Sequence, residues 1–250
     1  FAYIRGLILL LSLIFNAPHV SASIDLSDVK SGQLMGLHTV YFIDESGQLK
    51  PNDVLNLTPS NWLTVDQEIL SIGYSDAVLW IKLELINPTI SSLDNTDWLI
   101  DIAYPVLDQV DVSIFNDSGV KHYELGDRQY FNVRPIEHRN FVVPTNLSKG
   151  ESSTVLIGVK SGSSLQVPIK LWQQAKFYDH EQSSLIWQGL YFGCILVMIF
   201  YNLCLYYYSR QRQYIYFAFA FTSFLLFHAT LNGIAYQYLW PFSPLWNEHA

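Results

Sequence analysis

Flat aromatic rings and one short basic cluster are the side chains best equipped for recognition chemistry in this chain of 250 residues. Trp62, Trp80, Trp98, Tyr104 and Trp172 offer faces that stack on the apolar faces of sugar rings, with a few polar groups to fix orientation. The same rings serve equally well as core packing. Trp80 falls in register with Lys82 and Glu84, opposite the apolar face of its segment. It therefore lies either on an exposed concave side or on the floor beneath a loop. Arg134, His138 and Arg139 gather positive charge in an otherwise acidic region. A guanidinium grips an anionic or hydroxyl-rich ligand by planar two-point hydrogen bonding. Pairing with nearby acids such as Asp127 and Glu137 is the plainer role for the same cluster.

Other chemistries find little support. His38, His122, His138 and His180 show no metal-ligand spacing, so no metal and no cofactor is expected. No serine elbow, phosphate loop or cysteine–histidine pattern is present, and no catalytic residue is expected. Acids are plentiful, but abundance is not the paired-carboxylate geometry of glycoside hydrolysis.

Membrane segments hold these groups in place. Leu185 to Tyr208 runs 24 residues without a charge, followed at once by Arg210 and Arg212. Such a run rises about 36 Å as a helix, enough to cross a hydrocarbon core of about 30 Å. The basic flank stays inside, so everything before Leu185 is expected outside the cytoplasm. Arg5, the apolar run Gly6–Phe15 and Val20-Ser21-Ala22 read as a secretory signal over residues 1–22, cut after Ala22. A second apolar stretch spans 214–233, and Tyr236, Tyr238 and Trp240-Pro241 within 234–250 read as an outer interfacial belt. Asn202 and His228 are the notable polar side chains in these spans, as interhelical hydrogen bonds or as a working site. Gly189 and Gly193, four apart, suit close helix approach within one molecule or in a homodimer. The first span leads in and the second back out. A cytoplasmic output needs an odd number of spans, so the expectation is of a chain that continues.

Between signal and membrane lies an exported region, 23–181, with 21 acidic against 11 basic side chains, a net of −10. That balance argues against nucleic acid and against anionic lipid as partners. Both cysteines, Cys194 and Cys204, sit in the apolar run, so the exported region has no disulfide and relies on its core. A bacterial inner membrane, with this region in the periplasm, suits such a chain.

The exported region carries a two-residue period. Leu79, Ile81, Leu83 and Leu85 share one face, with Lys82 and Glu84 on the other. Val110–Phe115, Val155–Lys160 and Leu165–Leu171 alternate likewise, Pro168 marking an edge or bulge, and Trp98–Tyr104 reads as a further strand. Turn formers separate them, among them Asn87-Pro88, Asn116-Asp117-Ser118-Gly119 and Ser148-Lys149-Gly150. Short strands with regular turns predict an all-β sandwich or jelly roll, followed by α-helical transmembrane segments. Phe177–Gln182 reads as a polar bridge to the first span.

These segments resemble a known family. Gly73-Tyr74-Ser75-Asp76-Ala77-Val78-Leu79-Trp80-Ile81-Lys82-Leu83 followed by Asn87, Trp98–Pro105, Leu107-Asp108-Gln109-Val110, Gly126-Asp127, Arg134-Pro135-Ile136 and His138–Pro144 are similar to the type 2 extracellular domain of bacterial seven-transmembrane receptors with diverse intracellular signalling modules (7TMR-DISM). Gly189–Gly193, Met198, Tyr201-Asn202-Leu203, Leu205-Tyr206, Gly233 and Tyr236–Pro241 are similar to the first two helices of that family. The resemblance implies a jelly-roll ectodomain like carbohydrate-binding modules, then seven helices, then an output such as a histidine kinase or diguanylate cyclase. It implies a receptor whose ligand is a small molecule, with carbohydrate-related compounds as one candidate class. A membrane-tethered binding or scaffolding module is the alternative, and an envelope enzyme acting on glycans is the third.

Overall fold

The computed structural model describes residues 23–88 and 97–249. The signal-peptide expectation for 1–22 lies outside them. Strands come first: β1 (Ile24–Asp25), β2 (Gln33–Leu34), β3 (Val40–Asp44), β4 (Leu63–Thr64), β5 (Leu70–Gly73), β6 (Val78–Ile86) and β7 (Trp98–Ile102). They continue as β8 (Gln109–Asn116), β9 (Gly119–Leu125), β10 (Phe141–Pro144), β11 (Ser152–Lys160), β12 (Leu165–Val167) and β13 (Ile169–Gln173). The helices are α1 (Pro51–Leu55), α2 (Gln174–Ser209), α3 (Arg212–Leu231), α4 (Ile234–Tyr238) and α5 (Pro244–His249).

Alternating side chains drive the assembly. A seven-stranded sheet in the order β4-β3-β6-β11-β8-β9, with β1 beside β6, faces a four-stranded sheet in the order β10-β7-β13-β2. Leu79, Ile81, Leu83 and Leu85 of β6 and Val155, Ile157 and Val159 of β11 point inward. They meet Ile100 and Ile102 of β7, Phe141 and Val143 of β10, and Leu171 of β13, closing one sandwich core. The β8–β9 hairpin pairs Asn116 with Gly119, and Gly119 takes φ 130, a conformation few side chains adopt.

Two predicted elements differ. Leu165–Leu171 is not one strand: Pro168 divides it, β12 pairing with β5 while β13 pairs with β7 and β2. Proline has no N–H for a ladder, while the carbonyl of Pro168 still accepts from Ala103 N–H at 2.9 Å. Phe177–Gln182 is not a bridge but part of α2, which starts at Gln174 rather than near Leu185. No proline or glycine interrupts this stretch before Gly189, and Phe177 anchors it by burying its ring on the sandwich. The second span, α3, starts at Arg212 and ends at Leu231.

Each outer face of the sandwich is covered in part. On the large sheet Trp80, Val40 and Leu156 pack under Val54 of α1 and Trp62. On the small sheet Leu99, Val142 and Trp172 pack against Phe177 of α2. The N–H of Gln174 bonds to the Asp97 carbonyl, so α2 starts beside the beginning of β7. It then runs down the outer face of the small sheet toward the loops that follow β7 and precede β10.

Candidate functional site

A helix that starts on the outer face of a sheet and enters a span without a break makes the junction the place to look for function. At 36 residues, α2 is about 54 Å long, more than a bilayer core needs. Phe177, Glu181, Ser184 and Gln188 follow one another at helical spacing and form the face turned to the sandwich. Phe177 is 1% exposed, its ring 6.0 Å from Trp172 and 5.1 Å from His138.

Glu181 is the hub of this face. Its Oε2 lies 2.9 Å from His138 Nε2 and 3.1 Å from Arg139 Nη2. Arg139 also donates from Nη1 to Gln188 Oε1 at 2.7 Å and from Nη2 to Ser184 Oγ at 3.3 Å. One arginine on the loop before β10 thus grips three successive positions of α2. The side chains of His138, Arg139 and Glu181 are only 11%, 12% and 13% exposed, so this is a largely desolvated contact.

Arg134 does a different job. Its Nη1 donates to the carbonyls of His138 and Arg139, each at 2.7 Å, holding the loop in the shape that presents them. Its guanidinium carbon lies 4.6 Å from the ring centroids of Phe131 and Phe141 and 5.7 Å from that of Tyr236. Burial pushes this guanidinium down to about 10, against the opposing pull of Tyr236 and Asp127, so it stays charged at neutral pH. Beside it, Asn140 Nδ2 donates to Asp101 Oδ1 at 3.0 Å. Burial raises the Asp101 carboxyl above its ordinary value, with Asn140 and the charges of His138 and Lys170 opposing.

The second span reaches the same place. Past α3 the chain turns at Gly233, whose φ of 70 and closeness to the domain suit glycine alone. A Cβ there would sit 2.8 Å from Pro105 Cβ and 3.2 Å from Arg139 Cβ. Tyr236 of α4, 2% exposed, donates its hydroxyl to the Gln129 carbonyl. Both spans are therefore tied to the loops at one end of the sandwich.

Residues 36–173 match the family model described as 7TMR-DISM extracellular 2, and residues 184–250 match the one described as 7TM diverse intracellular signalling. The chain belongs to the 7TMR-DISM family. No curated protein matches it. The chain is thus a membrane protein of a receptor family, with an external N-terminal domain and membrane-spanning helices. The contact centred on Glu181 straddles the boundary between the two matched regions.

Of the residues singled out from sequence, the structure brings Arg134, His138 and Arg139 together, with Glu181 rather than Glu137 as the acid at the centre. Trp98 does not join them: it is 1% exposed in the sandwich core, with no face open to a sugar. Trp80 is a floor beneath a loop, 3% exposed, with Gly158 opposite leaving room for its ring. Tyr104 is half-buried against the core. Within the spans Asn202 is buried and donates to the Met198 carbonyl of its own helix at 2.8 Å, not to a neighbour. The His228 ring meets Tyr191 across the two helices at 5.7 Å. With His180, Gln188 and Asn232 these two line a groove of about 600 Å³ beside the junction. Gly189 and Gly193 meet nothing within 4 Å of an added Cβ, so they do not serve the contact between α2 and α3. Tyr236, expected in the interfacial belt, is instead buried against the domain. Sequence reading missed Glu181, Ser184 and Gln188. The signal is their common helical face, which a polar bridge ending at Gln182 and a span starting at Leu185 cut in two.

Proposed function

We propose that the chain is the sensing and relay part of a signalling receptor. The external sandwich binds a small ligand, and the junction passes the change to the helix bundle and on to a cytoplasmic output module. The observation that carries this reading is the continuity of α2 from the outer face of the small sheet into its span, clamped by Arg139 at Glu181, Ser184 and Gln188. A shift of the loop before β10 must move α2 or break that clamp. Ligand-driven signalling needs two arrangements of such an element, bound by the ligand with different affinity. The reading puts the chain in a bacterial inner membrane with its domain in the periplasm. A domain without cysteine and with its own closed core supports that location.

The ligand class of this reading is carbohydrate-related. With Trp80 and Trp98 inside, stacking on a sugar rests on aromatic groups that keep some exposure, Tyr104 among those named from sequence. The test is the melting temperature of the domain, in the chain reconstituted in nanodiscs, against sugars, amino acids and organic anions. A ligand at 100 times its Kd adds about 2.7 kcal/mol. At about 2–4 °C per kcal/mol this is a shift of roughly 5–11 °C. A shift confined to sugars supports the full reading, and a shift with another class keeps the sensor but replaces the ligand. Absence of any shift across the panel counts against small-molecule sensing.

A further inference from the structure

We infer that the external domain itself rests on the outer leaflet, through an apolar patch built jointly by the loop between β9 and β10 and by α4 with the residues after it. Two aromatic rings hold these pieces together. Phe131 and Tyr236 meet edge to face at 5.7 Å, and Phe131 N–H bonds to the Pro241 carbonyl at 3.4 Å. Each ring faces inward, at 6% and 2% exposure. The neighbours of each point the other way: Tyr130 and Val133 on the loop, and Tyr238, Leu239 and Phe242 on the other piece, are all exposed. The single helical turn Phe131–Val133 produces the split on the loop, burying its first residue and turning out its last.

Lipid is the occupant that fits. α4 begins three residues after Leu231, the last residue of a membrane-spanning helix. Three residues reach about 10 Å at most, so the patch lies at the height of the headgroups. Tyrosine and other rings with an apolar body and a polar tip are favoured at that depth. On α3 itself Phe224, Phe227 and Leu231 are exposed, so apolar side chains continue along the span up to the turn that leads into α4. The acidic domain gives no electrostatic pull toward anionic headgroups, so the contact rests on these aromatic and aliphatic side chains, with Asn132 and Glu137 exposed beside them, and is insensitive to salt. It also fixes the height of the loop that carries Arg134, His138 and Arg139, coupling the clamp on α2 to the bilayer surface.

Spin labels test this directly. In a Cys194→Ala, Cys204→Ala background, single labels at Tyr130→Cys and Val133→Cys are placed in the chain in phosphatidylcholine nanodiscs. Their collision rates with oxygen, which concentrates in lipid, and with a water-soluble nickel chelate are compared. Val120→Cys, on the hairpin at the opposite end of β9, is the aqueous reference, and Leu196→Cys in α2 is the lipid reference. All four side chains are exposed, so labelling leaves the fold intact. The expected result is an oxygen-to-nickel ratio at 130 and 133 several-fold above that at 120, unchanged at high salt. A ratio equal to that at 120 would overturn the inference. So would low collision with both reagents, which would mean that protein, such as a second copy of the chain, covers the patch.

Discussion

Separating Glu181 from Arg139 probes the junction most sharply. The carboxylate lies 3.1 Å from one guanidinium nitrogen and 2.9 Å from the His138 ring, in surroundings about seven-eighths closed to solvent. Unit charges at about 3 Å attract by about 5 kcal/mol at an effective dielectric of about 20. Desolvation takes back much of that, leaving a net coupling of about 1–3 kcal/mol. Glu181→Gln alone should cost about 3 kcal/mol, because it leaves the buried Arg139 charge with neutral acceptors alone. The assay is urea and thermal unfolding of the sandwich in nanodiscs for wild type, Glu181→Gln, Arg139→Gln and the double variant. The single Glu181 change should lower the melting temperature by roughly 6–12 °C. The double variant should lose less than the sum of the two singles. Additivity within about 0.5 kcal/mol would refute the clamp.

Other consequences are as specific. Trp80→Ala should destabilise the domain by about 3–5 kcal/mol, since the ring fills the space between β11 and α1, and equilibrium unfolding reads this directly. Gly233→Ala should cost about 1–2 kcal/mol from its left-handed backbone alone, and more from collision with Pro105 and Arg139, loosening the domain from the spans. Increased protease cleavage in the loop before β10 would report it. Asp101 holds its proton longer folded than unfolded, so its contribution to stability is full below its ordinary value of 3.8 and is lost as pH rises through the raised folded value. Asp101→Asn keeps an acceptor for Asn140 and removes that loss. The variant should therefore gain on wild type as pH rises from about 4, measured as the difference in melting temperature between the two.

Much of the architecture was legible because β6, β8 and β11 each keep an apolar residue at every second position of one face and their turns carry Asn, Asp and Gly. The long uncharged runs likewise exposed the spans. The short strands β1, β2 and β4, two residues each, carry no period to read and exist through pairing with distant partners. Pro168 signalled a break, but not that its two sides join different sheets, which depends on where β5 and β7 lie. At the site, the basic triplet stood out as charges close in sequence. Its acid did not, because Glu181 lies 42 residues beyond Arg139 and only the docking of α2 brings them together. Trp80 and Trp98 show the opposite limit: residue type suggests stacking, but burial depends on what α1 and the facing sheet cover.

In the proposed receptor the sandwich speaks to the membrane through the first turns of α2. Amide hydrogen exchange over residues 174–188, in the reconstituted chain with and without a ligand that raises the domain's melting temperature, tests it most directly. Saturation should change protection across this segment, and Glu181→Gln should abolish that change although ligand still binds. A saturated domain with unchanged exchange at 174–188 would contradict it.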